Sequence, residues 1–483
     1  MRANPSVPRQ REDPTARPDP FYGSADISPD ATLPLHQHAG VPWHRRSGPV
    51  LHLRRGQIAV RWLRQHLPFA LIVLLATYLL TINVASPWQS MHEDNGTLNE
   101  SIAINHIRYG LGVTKGQDLL DLEAKQSFGP AHVSEAQHFA FFLSGPTHPQ
   151  VYGDHPPLLG LTIAGSFLLF GFHFWAERLV PIVYALLGLI VFYQLACFVF
   201  DVGIARVAAF LYGTFPMLAY FGRNVSHEAP TLFWALLLLT GYLRWRARPQ
   251  QRWLVLMALA VVIGGLYGWP MFYFAPILCA VDAIAERRIN WSLVRVTVLP
   301  ALLTFVLVMA QLDWALGGDL TRMAAMFAFR TSGSDHGTTV TSIGWLQQIT
   351  AWNAESFGGW SQLALPIALF FVAARASTER WSPRMRLLAI CGLWGLSHVL
   401  IFRNGALIHA YWQFYLLPFY ALVLAWAGVT LARAHIALPV PRALVLGFLC
   451  FAALNLNLAP ILSLYSTGYL VTLPVVPLFD LWH

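Results

Sequence analysis

Two adjacent carboxylates, Glu93 and Asp94, with Asn95 behind them, are the residues of this chain best equipped for proton chemistry. They follow directly on the first long apolar run, 67–88, which carries no charged residue. A run of about 20 such residues crosses a bilayer. A carboxylate just past the end of a membrane helix can take the proton of an attacking hydroxyl or amine. The plainer alternative is capping, since Asp94 and Asn95 suit an N-cap and the amphipathic stretch Leu98, Ile102, Ile104, Ile107 follows them.

Three further clusters hold polar side chains. In the first, Tyr152, Asp154 and His155 precede Pro156 and Pro157. Two prolines fit the first turn of a helix, where no N–H partner is needed, so the polar trio would project from a helix start. In the second, Arg223, Asn224, His227 and Glu228 put a cation, an amide, an imidazole and a carboxylate into one tight turn. In the third, Arg403, His409, Tyr411 and Gln413 mix with aromatics, of which Trp412 and Tyr415 read as an interfacial belt. Arg223 and Arg403 are the expected phosphate ligands, with His409 beside them, because a guanidinium fork binds two phosphate oxygens at once. The bland reading of either arginine is a helix end anchored to lipid headgroups. Lys115 in the first outer loop is the next candidate cation.

The elements that must position these residues are membrane helices. The chain is 483 residues long, 56% hydrophobic and only 12% charged, against about 25% charged in a soluble domain. The expected fold is an all-α polytopic membrane protein. After 67–88, apolar runs lie at 156–174, 179–200, 207–221, 229–243, 253–267, 271–281, 296–312, 363–374, 387–402, 410–431 and 443–465. Residues 1–60 are rich in Pro, Arg, Asp and His without helical periodicity and read as a disordered cytoplasmic tail. No cleavable signal is expected, because the first apolar run starts late and is too long. The four cysteines lie inside apolar runs and suggest neither a disulfide framework nor a metal-type spacing.

Charge placement orients the helices. Ten arginines precede Leu67, which puts the N-terminus in the cytoplasm. If 156–174 lies in the outer leaflet without crossing, the later cytoplasmic turns hold fourteen arginines and the outer side eight basic residues. If it crosses, the bias reverses. The first arrangement is the consistent one and gives about eleven crossings. The polar segments 87–178, 221–228, 313–360 and 403–411 then share the outer face. No Asp, Glu, Lys or Arg falls mid-span, which argues against an ion-coupled transporter. The chain divides into the tail 1–60, a membrane module 61–312 with outer loop 87–178, a second outer loop 313–360, and C-terminal helices 361–483.

An acidic pair after the first span, a His-Pro-Pro-Leu segment (155–158), an Arg223…Glu228 turn and a His409-x-Tyr411 element together resemble the C-type (GT-C) glycosyltransferases. The branch most similar is that of the protein O-mannosyltransferases and the lipid A aminoarabinose transferase, family 39-like. The resemblance covers about 70–430. It implies a GT-C helical bundle with a helix-bearing first outer loop, a polyprenyl-phosphate-linked sugar as donor, and an acceptor protein, lipid or glycan on the non-cytoplasmic face. Asp94 or Glu93 matches the family's loop acid, which serves as base or acceptor-positioning group. The family usually shows Asp-Glu, and here the order is Glu-Asp. The implied location is a plasma (inner) membrane with the site on the outer, periplasmic side. No nucleic acid partner and no obligatory cofactor are expected; a divalent ion, if used, would sit among His92, Glu93, Asp94, His227 and Glu228.

The rival reading is a flippase or transporter for lipid-linked sugars, which needs a polar path that the apolar runs lack. Topology is checked by cysteine labelling in a cysteine-free background. Arg248→Cys should resist a membrane-impermeant thiol reagent added from outside, and Asp335→Cys should react; outside labelling at 248 would reverse the orientation.

Overall fold

The computed structural model describes residues 66–88, 90–120, 134–144, 149–332, 341–435 and 442–466. The expected tail 1–60 lies outside these, as do Lys125 and Asp335. The described residues all fall in one compact unit. Helix α1, His66–Thr81, leads through a turn to α2, Asp94–Thr114. A two-residue strand β1, Leu119–Leu120, follows, then α3, Glu135–Ser144, and strand β2, Gln150–Val151. The strands pair antiparallel, Leu119 with Val151 and Leu120 with Gln150.

Next come α4 (Leu158–Phe170), α5 (Phe174–Val199), α6 (Val202–Thr214), the short α7 (Pro216–Ala219) and α8 (Glu228–Ala247). They are followed by α9 (Gln251–Tyr267), α10 (Pro270–Glu286) and α11 (Trp291–Leu316). The segment after α11 carries α12 (Thr321–Ser332) and α13 (Ser342–Phe357). Helices α14 (Gly359–Ala376), α15 (Pro383–Ile401), α16 (Arg403–Ile408), α17 (Leu417–His435) and α18 (Arg442–Ser466) complete the chain described. Apart from the two-residue strands, the regular structure of the described residues is helical. All four cysteines are free thiols.

Five segments among the described residues are long and apolar enough to cross a membrane: α5, α11, α14, α15 and Ala410–Ala434. Helix α6 with its continuation through Arg223 makes a sixth if the 52° bend between them is counted inside one span. That bend divides the run 207–221, which the sequence suggests as one piece. Pro216 is the reason. A residue before proline is pushed out of the helical region, and Phe215 has φ −60°, ψ 138°. The chain restarts at Pro216, where a missing N–H costs nothing, and turns through a 3-10 segment, Phe221–Arg223. Arg223 is thereby delivered beside the α1–α2 connection.

Helix α4 has 13 residues; at about 1.5 Å each it reaches about 20 Å, less than the roughly 30 Å of a hydrocarbon core. It rests on a separate apolar core of Ile163 and Phe167 with Phe139 and Phe142 of α3 and Phe174 and Val180 of α5. Helices α3 and α4 are therefore seated by an apolar cluster of their own.

The 403–416 segment is held from α13. Trp345 Nε1 donates to the Arg403 carbonyl at 2.9 Å and Trp352 Nε1 to the Leu407 carbonyl at 2.9 Å. Gln413 Nε2 donates back to the Ile349 carbonyl at 3.3 Å. Gly405 packs under Trp412 so closely that a Cβ would lie 1.9 Å from the ring. His409 sits between these fixed points.

Candidate active site

Glu93 and Asp94 are neighbours with different surroundings. Glu93 is buried, and its Oε1 accepts from Arg178 Nη2 at 3.1 Å and Arg223 Nη2 at 2.7 Å. Its Oε2 accepts from the Ser90 N–H at 2.9 Å. Arg178 also donates to the Val84 carbonyl at 2.9 Å and to that of Ser86, and its guanidinium lies 3.9 Å above the Trp88 ring. Arg223 donates to the Ile82 carbonyl and stacks 4.3 Å from the Tyr465 ring of α18. One carboxylate thus joins α2, α5 and the turn after α7, and the two arginines bind the 82–86 loop around it. Asp94 is half-buried one residue on, in the first turn of α2.

Around the start of α2 the polar clusters of the sequence converge. The His92 ring stands 5.1 Å from Tyr411 and 5.7 Å from His409. Tyr411 is close enough to Glu228, Asp94 and Arg330 to feel their charges, and it is within hydrogen-bonding reach of Asn95. Arg330 Nη1 donates to His409 Nε2 at 2.6 Å, and its guanidinium lies 5.3 Å from the Trp412 ring. Because Arg330 can only donate, the neutral His409 ring carries its proton on Nδ1. His155 stacks on His227 with centroids 4.1 Å apart. The Tyr267 carbonyl can only accept, so His227 Nδ1, 2.6 Å away, carries the proton and leaves Nε2 as an acceptor. Trp269 Nε1 fixes the Asp154 carbonyl at 2.7 Å, and Asn99 Nδ2 ties α2 to the Val225 carbonyl at 2.9 Å.

Burial keeps these imidazoles uncharged. It pulls His92 and His227 down to about 4, with the Tyr267 carbonyl opposing the shift at His227. His155 is held well below its ordinary value by burial, then by His227, Arg330 and His398. His409 is held low by burial, then by Arg330, His92 and His155. The Tyr152 hydroxyl is pushed well above its ordinary range by burial and then by Asp154, while Arg330 pulls the other way. The result is a pocket of neutral rings with Arg330 as the fixed cation that His155, His409, Tyr152 and Tyr411 all sense.

The structure gathers Asp94, Asn95, Tyr152, Asp154, His155, His227, Glu228, His409 and Tyr411 into this neighbourhood. Other residues singled out in the sequence have different partners. Glu93 and Arg223 belong to the buried ion cluster. Asn224 is buried at 6% exposure on the turn between Arg223 and α8. Arg403 donates to Ser342 Oγ at 3.2 Å and lies 5.1 Å from the Trp345 ring, so no contact joins it to Arg223. Lys115 donates to the Trp314 carbonyl at 2.8 Å, linking the ends of α2 and α11. Gln413 is bonded to α13, as described. Arg330, Arg178 and His398 carry no role in the sequence reading. Arg330 sits on an amphipathic loop helix 79 residues before His409, and only folding brings the two together. Among the described residues no three His, Cys, Asp or Glu side chains converge as metal ligands.

The helical membrane fold is similar to that of GT-C glycosyltransferases, and each comparison agrees with the resemblance read from the sequence. A family model described as dolichyl-phosphate-mannose-protein mannosyltransferase matches residues 154–314. The chain is 25% identical over 283 residues to the lipopolysaccharide core galacturonosyltransferase RgtA of Rhizobium johnstonii, which is 53% of this chain and 54% of RgtA. It therefore spans about half the length of that relative. The structure is similar to ArnT from Cupriavidus metallidurans bound to undecaprenyl phosphate, at TM-score 0.51 and 14% identity, covering 84% of this chain and 71% of ArnT. It is also similar to the oligosaccharyltransferase AglB from Archaeoglobus fulgidus in complex with an inhibitory peptide and a dolichol-phosphate, at TM-score 0.54 and 14% identity, covering 84% of this chain and 57% of AglB. At this identity the two structures establish the fold.

Two stability measurements follow. Glu93→Gln leaves two buried guanidiniums without their counterion, and breaking such a cluster costs about 3–5 kcal/mol. Thermal unfolding in detergent should show a large drop in midpoint; a wild-type midpoint contradicts the hub. Second, the unfolded chain takes up protons on His92 and His227 near 6.5 while the folded chain resists them to about 4. Stability should be full above 6.5 and fall as the pH drops from 6.5 towards 4. His92→Asn should make that fall shallower; an unchanged slope means that His92 is not held neutral by the fold.

Proposed function

We propose that this protein is a membrane glycosyltransferase that moves a sugar from a polyprenyl-phosphate donor to an acceptor on the outer face. The observation that carries this reading is the meeting of Asp94, Tyr411, His409 and Arg330 at the start of α2. ArnT and AglB are described with undecaprenyl phosphate and dolichol-phosphate, which supports the donor class. Asp94 serves as the base. The acceptor oxygen or nitrogen attacks the anomeric carbon, the bond from that carbon to the phosphate oxygen breaks, and the acceptor proton passes to the Asp94 carboxylate. Polyprenyl phosphate leaves with one more negative charge than it brought as a diester.

Arg330 takes up that charge. A fixed cation in a pocket of uncharged rings acts at low local dielectric and does not reorganise as the charge develops. The phosphate role expected of Arg223 and Arg403 passes to Arg330, because Arg223 is committed to Glu93 and Arg403 to α13. Glu93 holds the framework that sets Asp94 in place. The acceptor is a protein, lipid or glycan. The chemistry needs no metal or other cofactor. The protein works in the plasma (inner) membrane, with its N-terminus cytoplasmic, about eleven crossings and the site on the periplasmic side.

Asp94→Asn keeps the shape and removes the base, and such a loss typically lowers turnover about 10²–10⁴-fold. Arg330→Lys removes the fork and should cost roughly ten- to a hundredfold in donor use, equivalent to about 1.5–3 kcal/mol. Arg403→Lys should behave as wild type. These are measured as sugar transfer by folded protein whose thermal midpoint is unchanged. Full activity in Asp94→Asn removes the proposed base, and full activity in Arg330→Lys with loss in Arg403→Lys returns the phosphate to Arg403.

A further inference from the structure

A buried pair away from the reacting groups is left unexplained by the proposed chemistry. His106 Nε2 and Asp118 Oδ1 meet at 3.0 Å, with side chains 2% and 1% exposed. Both could be replaced by apolar packing if stability were their only use, since a buried pair gains little over well-packed hydrophobic groups. Burial lifts Asp118 to about 6 even with His106 pulling the other way, so the pair is a costly one.

Its contacts run toward the site. The Asp118 carbonyl accepts from the Tyr152 N–H at 2.8 Å. Its carboxylate lies so near α4 that a Cβ on Gly160 would come 2.7 Å from Oδ1. Asn105, next to His106, donates from Nδ2 to the Leu119 carbonyl at 2.8 Å and grips β1. Asp118 therefore touches α2 through His106, the end of β2 through Tyr152, and the first turn of α4. Between β2 and α4 stand Tyr152, Asp154 and His155. Helix α2 has Asp94 at its start and His106 about 18 Å along its axis, at about 1.5 Å per residue. The break in α2, at Gly110 with φ 69°, comes after His106, so the stretch from Asp94 to His106 is unbroken.

We propose that His106 and Asp118 are positioning residues: through α2 they fix where Tyr152, Asp154 and His155 stand relative to Asp94. The proposal rests on the transferase reading for its effect on rate, though not for its effect on structure. A displacement of reacting groups by about 1 Å can cost about 10²-fold in rate, and the pair ties α2 to the residue whose carbonyl holds the Tyr152 N–H.

The test uses the full-length protein in lipid nanodiscs, with two readouts. Asp118→Ala and His106→Ala should each lower kcat by about ten- to a hundredfold and leave the donor KM unchanged. The double variant should be no worse than either single one, as expected of a coupled pair. Asp118→Asn keeps an acceptor for the His106 N–H and should restore most of the rate. Hydrogen–deuterium exchange should show faster exchange at 149–158 in the alanine variants and unchanged exchange in α14 and α15. Wild-type kcat and wild-type exchange at 149–158 in both alanine variants overturn the proposal. So do losses that multiply in the double variant, or a loss of protection spread evenly over the chain. If the wild-type protein transfers no sugar, the transferase reading fails, and the exchange readout still decides the positioning claim.

Discussion

The Glu93 carboxylate, clamped between Arg178 and Arg223, is the interaction on which the rest of the site depends. Two guanidiniums inside a membrane protein are tolerable only with a counterion and with their remaining N–H groups bonded. Glu93 supplies the first, and the carbonyls of Ile82, Val84 and Ser86 supply the second. The same contacts fix the geometry. They fasten the loop after α1 to α5 and to the turn after α7, and they leave the α2 N-terminus in one place with Asp94 on its first turn. Tyr465 closes the cluster from α18, with its hydroxyl donating to the Leu79 carbonyl at 2.7 Å.

Next to this charged cluster lies a pocket whose imidazoles are neutral. The contrast sorts the roles of the arginines. Arg178 and Arg223 are neutralised where they stand, whereas Arg330 meets His409 through a ring nitrogen that brings no negative charge. In the proposed reaction its positive charge meets the anion that forms nearby, at a dielectric low enough to make the attraction count. Aromatic packing from α13 and the close fit of Gly405 under Trp412 keep His409, and with it Arg330, from wandering.

Much of this was legible in the sequence, and for a physical reason. Composition and long apolar runs identify a helical membrane protein because the bilayer penalises anything else. The polar clusters at 93–95, 152–155, 223–228 and 409–411 stand out because polar groups are expensive in such a chain. What the sequence could not resolve was the division of labour inside each cluster. Glu93 and Asp94 are adjacent and chemically alike, and only the arrival of Arg178 and Arg223, from 85 and 130 residues away, separates the framework acid from the one facing the pocket. Arg223 and Arg403 look alike as arginines in short turns, yet one is buried against Glu93 and the other lies over Trp345. Arg330 was hidden because an amphipathic loop helix reads as surface. The division of 207–221 at Phe215 could be foreseen from Pro216 alone, but its 52° bend could not.

The central claim is that this site cleaves a sugar from a lipid phosphate. It is tested most directly by following the donor itself. Purified protein in a defined bilayer is given a panel of labelled polyprenyl-phosphate sugars with an acceptor mixture, and free polyprenyl phosphate is measured. The account predicts that at least one donor is discharged, one polyprenyl phosphate appearing for each sugar transferred, and that discharge stops in Asp94→Asn. Donor that moves across the bilayer with its sugar still attached, or discharge that continues at the full rate without the Asp94 carboxylate, would contradict it.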